Sequence, residues 1–130
     1  MKKILIVLVV LALCVAALIP AADWLVKQGL ENPRKGWSAD AIFAGARLQM
    51  LQQRYDDAHD ALAMAVKLYP ESRRVDAARY RLALCSENLD ILPRAIAEYQ
   101  AFLQRAPDHR WGPQARRRLD LLQAQTVGAD

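Results

Sequence analysis

Cysteine is scarce in this chain. Cys14 and Cys85 are the two, and they lie in different contexts. So placed, they offer neither a disulfide framework nor a metal-binding spacing. Histidine is equally scarce. His59 and His109 have no partner at i+4 and no Cys or carboxylate at ligand spacing, so both read as surface residues. The five glycines form no phosphate-cradling loop. No Ser, His and Asp combination has the layout of a nucleophilic site. Asp56, Asp57 and Asp60 cluster at the start of a helical pattern, where the helix dipole and solvent account for them. The expectation is a non-enzyme with no cofactor and no metal. The formal net charge is only +4. That is too small for a nucleic-acid footprint and leaves an acidic partner or anionic lipid as the charge-matched contacts.

The apolar residues are unevenly spread. Lys2 and Lys3 precede an uninterrupted run from Ile4 to Ile19, followed by Pro20, Ala21, Ala22, Asp23 and Trp24. A secretory signal peptide has such a start, but its cleavage site is poor here, because Pro20 or Ile19 falls at the outer small-residue position. The competing reading is an uncleaved anchor. Ile4 to Val26 is long enough to cross a bilayer, with Trp24 as an interfacial aromatic. The anchor is preferred. Cys14 lacks the small neighbours and polar tether of a lipidated cysteine, since Leu13 precedes it. Lys27, Arg34 and Lys35 nearly balance Lys2 and Lys3 across the span, so charge alone barely sets orientation. The very short tail before the span favours export of the carboxyl-terminal part.

The remainder repeats. Pro33, Pro70 and Pro107 are 37 residues apart, and the same offset relates Ala21, Ala58 and Ala95, then Ala41, Ala78 and Ala115, then Ala46 and Ala83. A fixed period in this range marks stacked supersecondary units. Each unit reads as two amphipathic helices, a short turn between them and a proline after the second. Ala46 with Ala58, and Ala83 with Ala95, are placed where the helices of a unit cross, and small side chains there permit close approach. The plainer alternative is a helical bundle with coincident alanines.

These residues resemble the tetratricopeptide repeat. The signature is Ala46, Tyr55-Asp56-Asp57-Ala58, Leu62, Ala65 and Pro70, repeated as Leu82-Ala83, Ala95, Tyr99, Phe102 and Pro107. The usual repeat is about 34 residues. The extra residues here fall in the loop after the proline. That loop is similar to the one in bacterial cell-envelope repeat proteins, such as the lipoprotein of the outer-membrane-protein assembly machine and the periplasmic coordinator of the Tol–Pal system. The chain departs from the family where Ile42 and Arg79 replace the first-helix Trp, and where Leu92 stands in the place of Tyr55. The resemblance implies an all-α solenoid of two repeats plus a capping helix, following the transmembrane helix. It also implies a periplasmic location and protein partners.

The expected layout is an anchor or signal peptide over 1–26, a connector over 27–37, a repeat domain over 38–125 and a disordered tail over 126–130. The 37-residue period also reaches back to Ala21, Leu25 and Pro33. The anchor helix is therefore expected either to continue to about Leu30 as a docked half repeat, or to give way to a flexible linker. Ser38 is expected to cap a helix over 39–53, Ser72 a helix over 73–87, and Pro113 to start a last helix of about twelve residues. The other two helices are expected over 56–69 and from Pro93 to about Arg105, with Thr126–Asp130 frayed.

In such solenoids the first helix of each unit lines the concave face. Its outward residues are expected to be Phe43, Arg47, Met50, Tyr80, Leu84, Glu87 and Arg117, together with Asp40, Ala77, Gln114 and Leu121. Exposed apolar side chains beside arginines suit an extended or helical peptide carrying apolar residues and a carboxylate. Met50 and Leu84 read equally well as inter-helix packing. The family's eukaryotic clamp needs Lys and Asn on this face, and neither is at the matching places. Arg73, Arg74, Arg79 and Arg81 form a basic cluster between units. The functional expectation is a membrane-anchored adaptor in a bacterial inner membrane. Its repeats would assemble a larger envelope complex, with the anchor, a homo-oligomer or a partner subunit completing the core. The alternative is a secreted periplasmic module that binds a peptide or an envelope polymer.

Overall fold

A computed structural model describes residues 1–128. They form six helices in sequence, α1 (Lys2–Glu31), α2 (Ser38–Leu51), α3 (Tyr55–Leu68), α4 (Val75–Asn88), α5 (Leu92–Arg105) and α6 (Gly112–Gly128), and no strand among the described residues. Each helix packs on its chain neighbour, so the molecule is a short helical solenoid. The apolar part of α1 projects from it. That helix is long and apolar enough to cross a membrane.

The period is written in the backbone. The connections after α1, α3 and α5 make the same hydrogen bonds at 37-residue intervals. Asn32, Tyr69 and Ala106 donate their N–H groups to Gln28, Ala65 and Phe102, and Lys35, Ser72 and His109 donate to Asn32, Tyr69 and Ala106. Ser38, Val75 and Gly112 then donate to Lys35, Ser72 and His109. The residues ending the three helices share one conformation, with φ/ψ of −123/59°, −128/58° and −137/62°. The end of α1 thus occupies the place of the second helix of a repeat. It has no break at Val26, and residues 24–30 are helical instead of a linker.

The turns within repeats are also copies. Arg54 N–H donates to Gln49 and Ile91 N–H to Ser86, while Gln53 donates to Met50 and Asp90 to Glu87. This is the Schellman arrangement, and the left-handed residue it needs is Gln53 in one turn and Asp90 in the other, both at φ 59°.

Ser38 and Ser72 do not cap helices. Trp37 and Arg74 hold those positions, with no side-chain cap. Ser38 is buried and its hydroxyl donates to the Asn32 carbonyl, while Ser72 Oγ only accepts from Arg74 N–H, at 3.3 Å. The inter-repeat turn satisfies the local polar groups by backbone bonding, which leaves Ser72 inside the turn and Ser38 as the first helical residue after it instead of at caps. The last helix is longer than expected, starts at Gly112 before Pro113, and includes Thr126 to Gly128. The rest of the expected tail lies outside the described residues.

Two apolar clusters form the interior. One joins α2, α3 and α4 through Ile42, Phe43, Ala46, Ala58, Leu62 and Cys85, with Val26 and Leu30 of α1 against it. The other joins α4, α5 and α6 through Tyr80, Ala83, Ala95, Tyr99, Phe102 and Leu122. The α1–α2 crossing is a close one. A β-carbon at Gly45 would lie 2.7 Å from the Ala22 carbonyl oxygen and 2.7 Å from Val26. Asp23 closes this contact, accepting from Gln49 Nε2 at 3.0 Å and from Arg54 Nη2 at 2.8 Å. The Tyr69 hydroxyl closes its other end on the Gly29 carbonyl at 3.2 Å.

The next repeat carries Leu82 where this one carries Gly45. Gly45→Leu should therefore push α1 off α2, costing about 1–3 kcal/mol of unfolding stability, and amides of residues 24–30 should exchange fast where the parent is protected. Conversely, Gln53→Gly and Asp90→Gly relieve a left-handed β-carbon clash. Each should raise stability by about 0.5–1 kcal/mol in urea or thermal unfolding.

Candidate interaction groove

The first helices of the units, α2 and α4, and the equivalent α6, border one continuous face. It holds two adjoining hollows that share Met50, Arg81 and Leu84. One, of about 350 Å³, is completed by Arg47, Leu51, Tyr55 and Asn88. The other, of about 280 Å³, is completed by Tyr80, Trp111, Gln114 and Arg118. An apolar floor with arginines along it therefore runs from the first repeat to the cap.

The expected face residues divide. Arg47, Met50 and Leu84 line the hollows. Phe43 and Tyr80 are not exposed, with 3% and 4% of their surface accessible. They stand at the same point of successive repeats, and the following unit covers that point. Phe43 lies in the cluster with Ala78 and Cys85 of α4, and the Tyr80 ring stacks 4.9 Å from Trp111. Arg117 is the third copy of this position. It is exposed and lines neither hollow. Asp40 and Leu121 are exposed but also outside the hollows, Ala77 is half-buried, and Gln114 lines the second hollow. Glu87 is already engaged. It accepts from Arg118 Nη1 at 2.8 Å and from the Tyr99 hydroxyl at 2.6 Å.

Arg81, Arg118 and Trp111 escaped the sequence reading of the groove. A signal existed, since Arg81 and Arg118 are themselves 37 residues apart. The arginine cluster of 73, 74, 79 and 81 is not one patch. Arg74 pairs with Asp40 at 2.9 Å, Arg81 faces the groove, and Arg79 is half-buried with its Nε unpaired. Arg81 lies 5.0 Å over the Trp111 ring and Arg110 lies 4.8 Å over the same ring, both in cation–π geometry. Burial, and then the neighbouring charges of Arg47, Arg110 and Arg74, pull the Arg81 guanidinium below the usual arginine range. Among the described residues no carboxylate pairs with Arg47, Arg81 or Arg110. The groove is thus electropositive where it is least solvated.

His59 and His109 are not the surface residues expected. His59 Nε2 lies 3.1 Å from Glu98 Oε1, and the Ser86 hydroxyl donates to that same oxygen at 2.5 Å, with Arg94 Nε donating to Ser86 at 2.8 Å. This network bridges α3, α4 and α5 inside the solenoid. Ser86 bonds Glu98, not His59. His109 packs between Phe102 and Trp111, 5.3 Å from each ring. No cluster of three or more metal-ligating side chains occurs among the described residues.

The tetratricopeptide repeat model matches residues 40–72 and 77–109, together half of the chain. The protein belongs to the tetratricopeptide repeat family, whose repeats mediate protein–protein interaction. No curated protein matches the chain.

Cys85 is buried, and burial followed by the nearby Glu98 charge pushes its thiol up to about 12. The thiolate is the reactive form. In the folded protein at pH 8, Cys85 should stay unlabelled by a maleimide over the time in which denatured protein reacts fully.

Proposed function

We propose that this protein is a membrane-anchored adaptor that recruits an acidic, partly apolar segment of a partner into its concave groove and so helps assemble a larger complex. The carrying observation is the Arg81 guanidinium, half-buried beside Trp111 among Arg47, Arg110 and Arg74 with no carboxylate partner. Such an arrangement is costly alone and is relieved by a carboxylate. Met50 and Leu84 beside it provide apolar contact for neighbouring side chains of that segment. The reading extends to a bacterial inner membrane, with the repeats on the periplasmic side and an envelope complex as the partner. It rests there on the apolar helix and on the resemblance of the post-proline loop to cell-envelope repeat proteins. The second reading is a secreted module freed of residues 1 to about 22, favoured by the basic start and apolar run of a signal peptide.

The test is capture of partners by the tagged full-length protein from native membranes in gentle detergent, comparing the parent with Arg47→Glu and Arg117→Glu. Arg47 lines the groove and Arg117 is exposed outside it. The stoichiometric partner should fall at least tenfold with Arg47→Glu, an effect of about 1.4 kcal/mol, and persist with Arg117→Glu. Equal capture by all three chains would sink the groove assignment. A soluble protein shortened by about 22 residues would establish the secreted form.

A further inference from the structure

We infer that the edge of the repeat domain carrying the turns within repeats lies directly on the bilayer, with Leu51 and Ile91 in the headgroup interface. The inference rests on reading α1 as a membrane span. The argument is one of length and attachment. Ile4–Ala22 contains 19 residues and no charged side chain. At 1.5 Å per residue this is roughly 28 Å, close to the roughly 30 Å of a hydrocarbon core. Asp23 is the first ionisable group after the run, and a carboxylate is excluded from hydrocarbon. The membrane surface is therefore fixed within about a turn of Asp23.

Nothing separates that level from the domain. Asp23 accepts hydrogen bonds from Gln49 and Arg54, which flank the turn at the end of α2. The helices run antiparallel, with Gly29 against Ser38 and Ile42, and Gly45 against Ala22 and Val26. Continuing that register places Leu51–Gln53 beside the last residues of the apolar run. Leu51 is 80% exposed there. Trp24, next to Asp23 on α1, is 59% exposed, as interfacial tryptophans are. One repeat further along this edge, Ile91 occupies the equivalent turn and is 40% exposed.

Charge specifies the lipid. On this edge Arg54 and Arg94 are outnumbered by Asp56, Asp57 and Asp90. The basic side chains Arg34, Lys35, Arg73 and Arg110 are instead in the turns at the opposite end. The edge therefore has no excess of basic charge to draw it to anionic lipid, and its exposed Leu51 and Ile91 suit a zwitterionic surface, with little dependence on salt.

The experiment uses full-length protein in phosphatidylcholine vesicles containing a shallow nitroxide lipid. An environment-sensitive fluorophore is placed by Leu51→Cys or Ile91→Cys. Lys35→Cys and Arg73→Cys report the far end, and Val9→Cys reports insertion of α1, all in a Cys14→Ala background. Quenching at 51 and 91 should be at least twofold stronger than at 35 and 73, and unchanged between low and high salt. Equal quenching at the four domain positions, with Val9→Cys quenched, would overturn the docked edge while leaving the span intact. Lack of quenching at Val9→Cys would remove the span and the inference with it.

Discussion

The constraint on which the rest depends is the inter-repeat turn. Its backbone bonds fix the angle at which each second helix hands over to the next first helix, three times, at Asn32, Tyr69 and Ala106. Because the bonds are main-chain, the turn tolerates different residues in each copy. Asn32 adds a side-chain bond to the Gln28 carbonyl, Tyr69 reaches across to Gly29, and Ala106 does neither. What the turn requires is only that the preceding helix stop and the next begin in register. The prolines that follow it secure the stop. Helix crossing then depends on small residues, and the chain supplies Ala46, Ala58, Ala83 and Ala95, all fully buried.

This constraint also gives α1 a dual character. A helix that ends in the repeat turn must pack as a repeat helix, and Gly45 and Gly29 provide the close approach. The same helix is uninterruptedly apolar from Ile4 to Ile19, and that stretch is exposed throughout. The helix is long and apolar enough to cross a membrane. The solenoid and the apolar rod are thus joined without a flexible segment, and the orientation of one sets the orientation of the other.

The period and the alanine columns were legible in the sequence because they are translational, and a fixed offset repeats whatever the fold. The helix count and the place of Pro93 followed. Burial was legible only where it depends on the same helix. Phe43 and Tyr80 looked outward on their own helices, and what buries them is the unit that follows. His59 looked isolated because Glu98 is 39 residues away and becomes its neighbour only when α5 closes against α3. The serine caps failed for a local reason. A serine before a helical pattern is also what a backbone-bonded turn accepts, and a single sequence does not distinguish the two.

The groove follows from the end condition of the solenoid. The position that faces the next unit is apolar in two copies, the buried Phe43 and Tyr80, and an exposed arginine in the third, Arg117. Arg81 and Arg118 form a different column, turned toward the groove. Glu87 neutralises Arg118 at 2.8 Å. Arg81 receives only the face of Trp111, which weakens its desolvation cost without cancelling its charge. One guanidinium in the column is thus satisfied from within the fold and the other is not. Stability alone would favour a carboxylate near Arg81, since an unpaired buried cation costs more than a paired one. The charges that act on it are instead those of Arg47, Arg110 and Arg74. On the proposed function, this unpaired guanidinium in the groove is the group that a partner's carboxylate would meet.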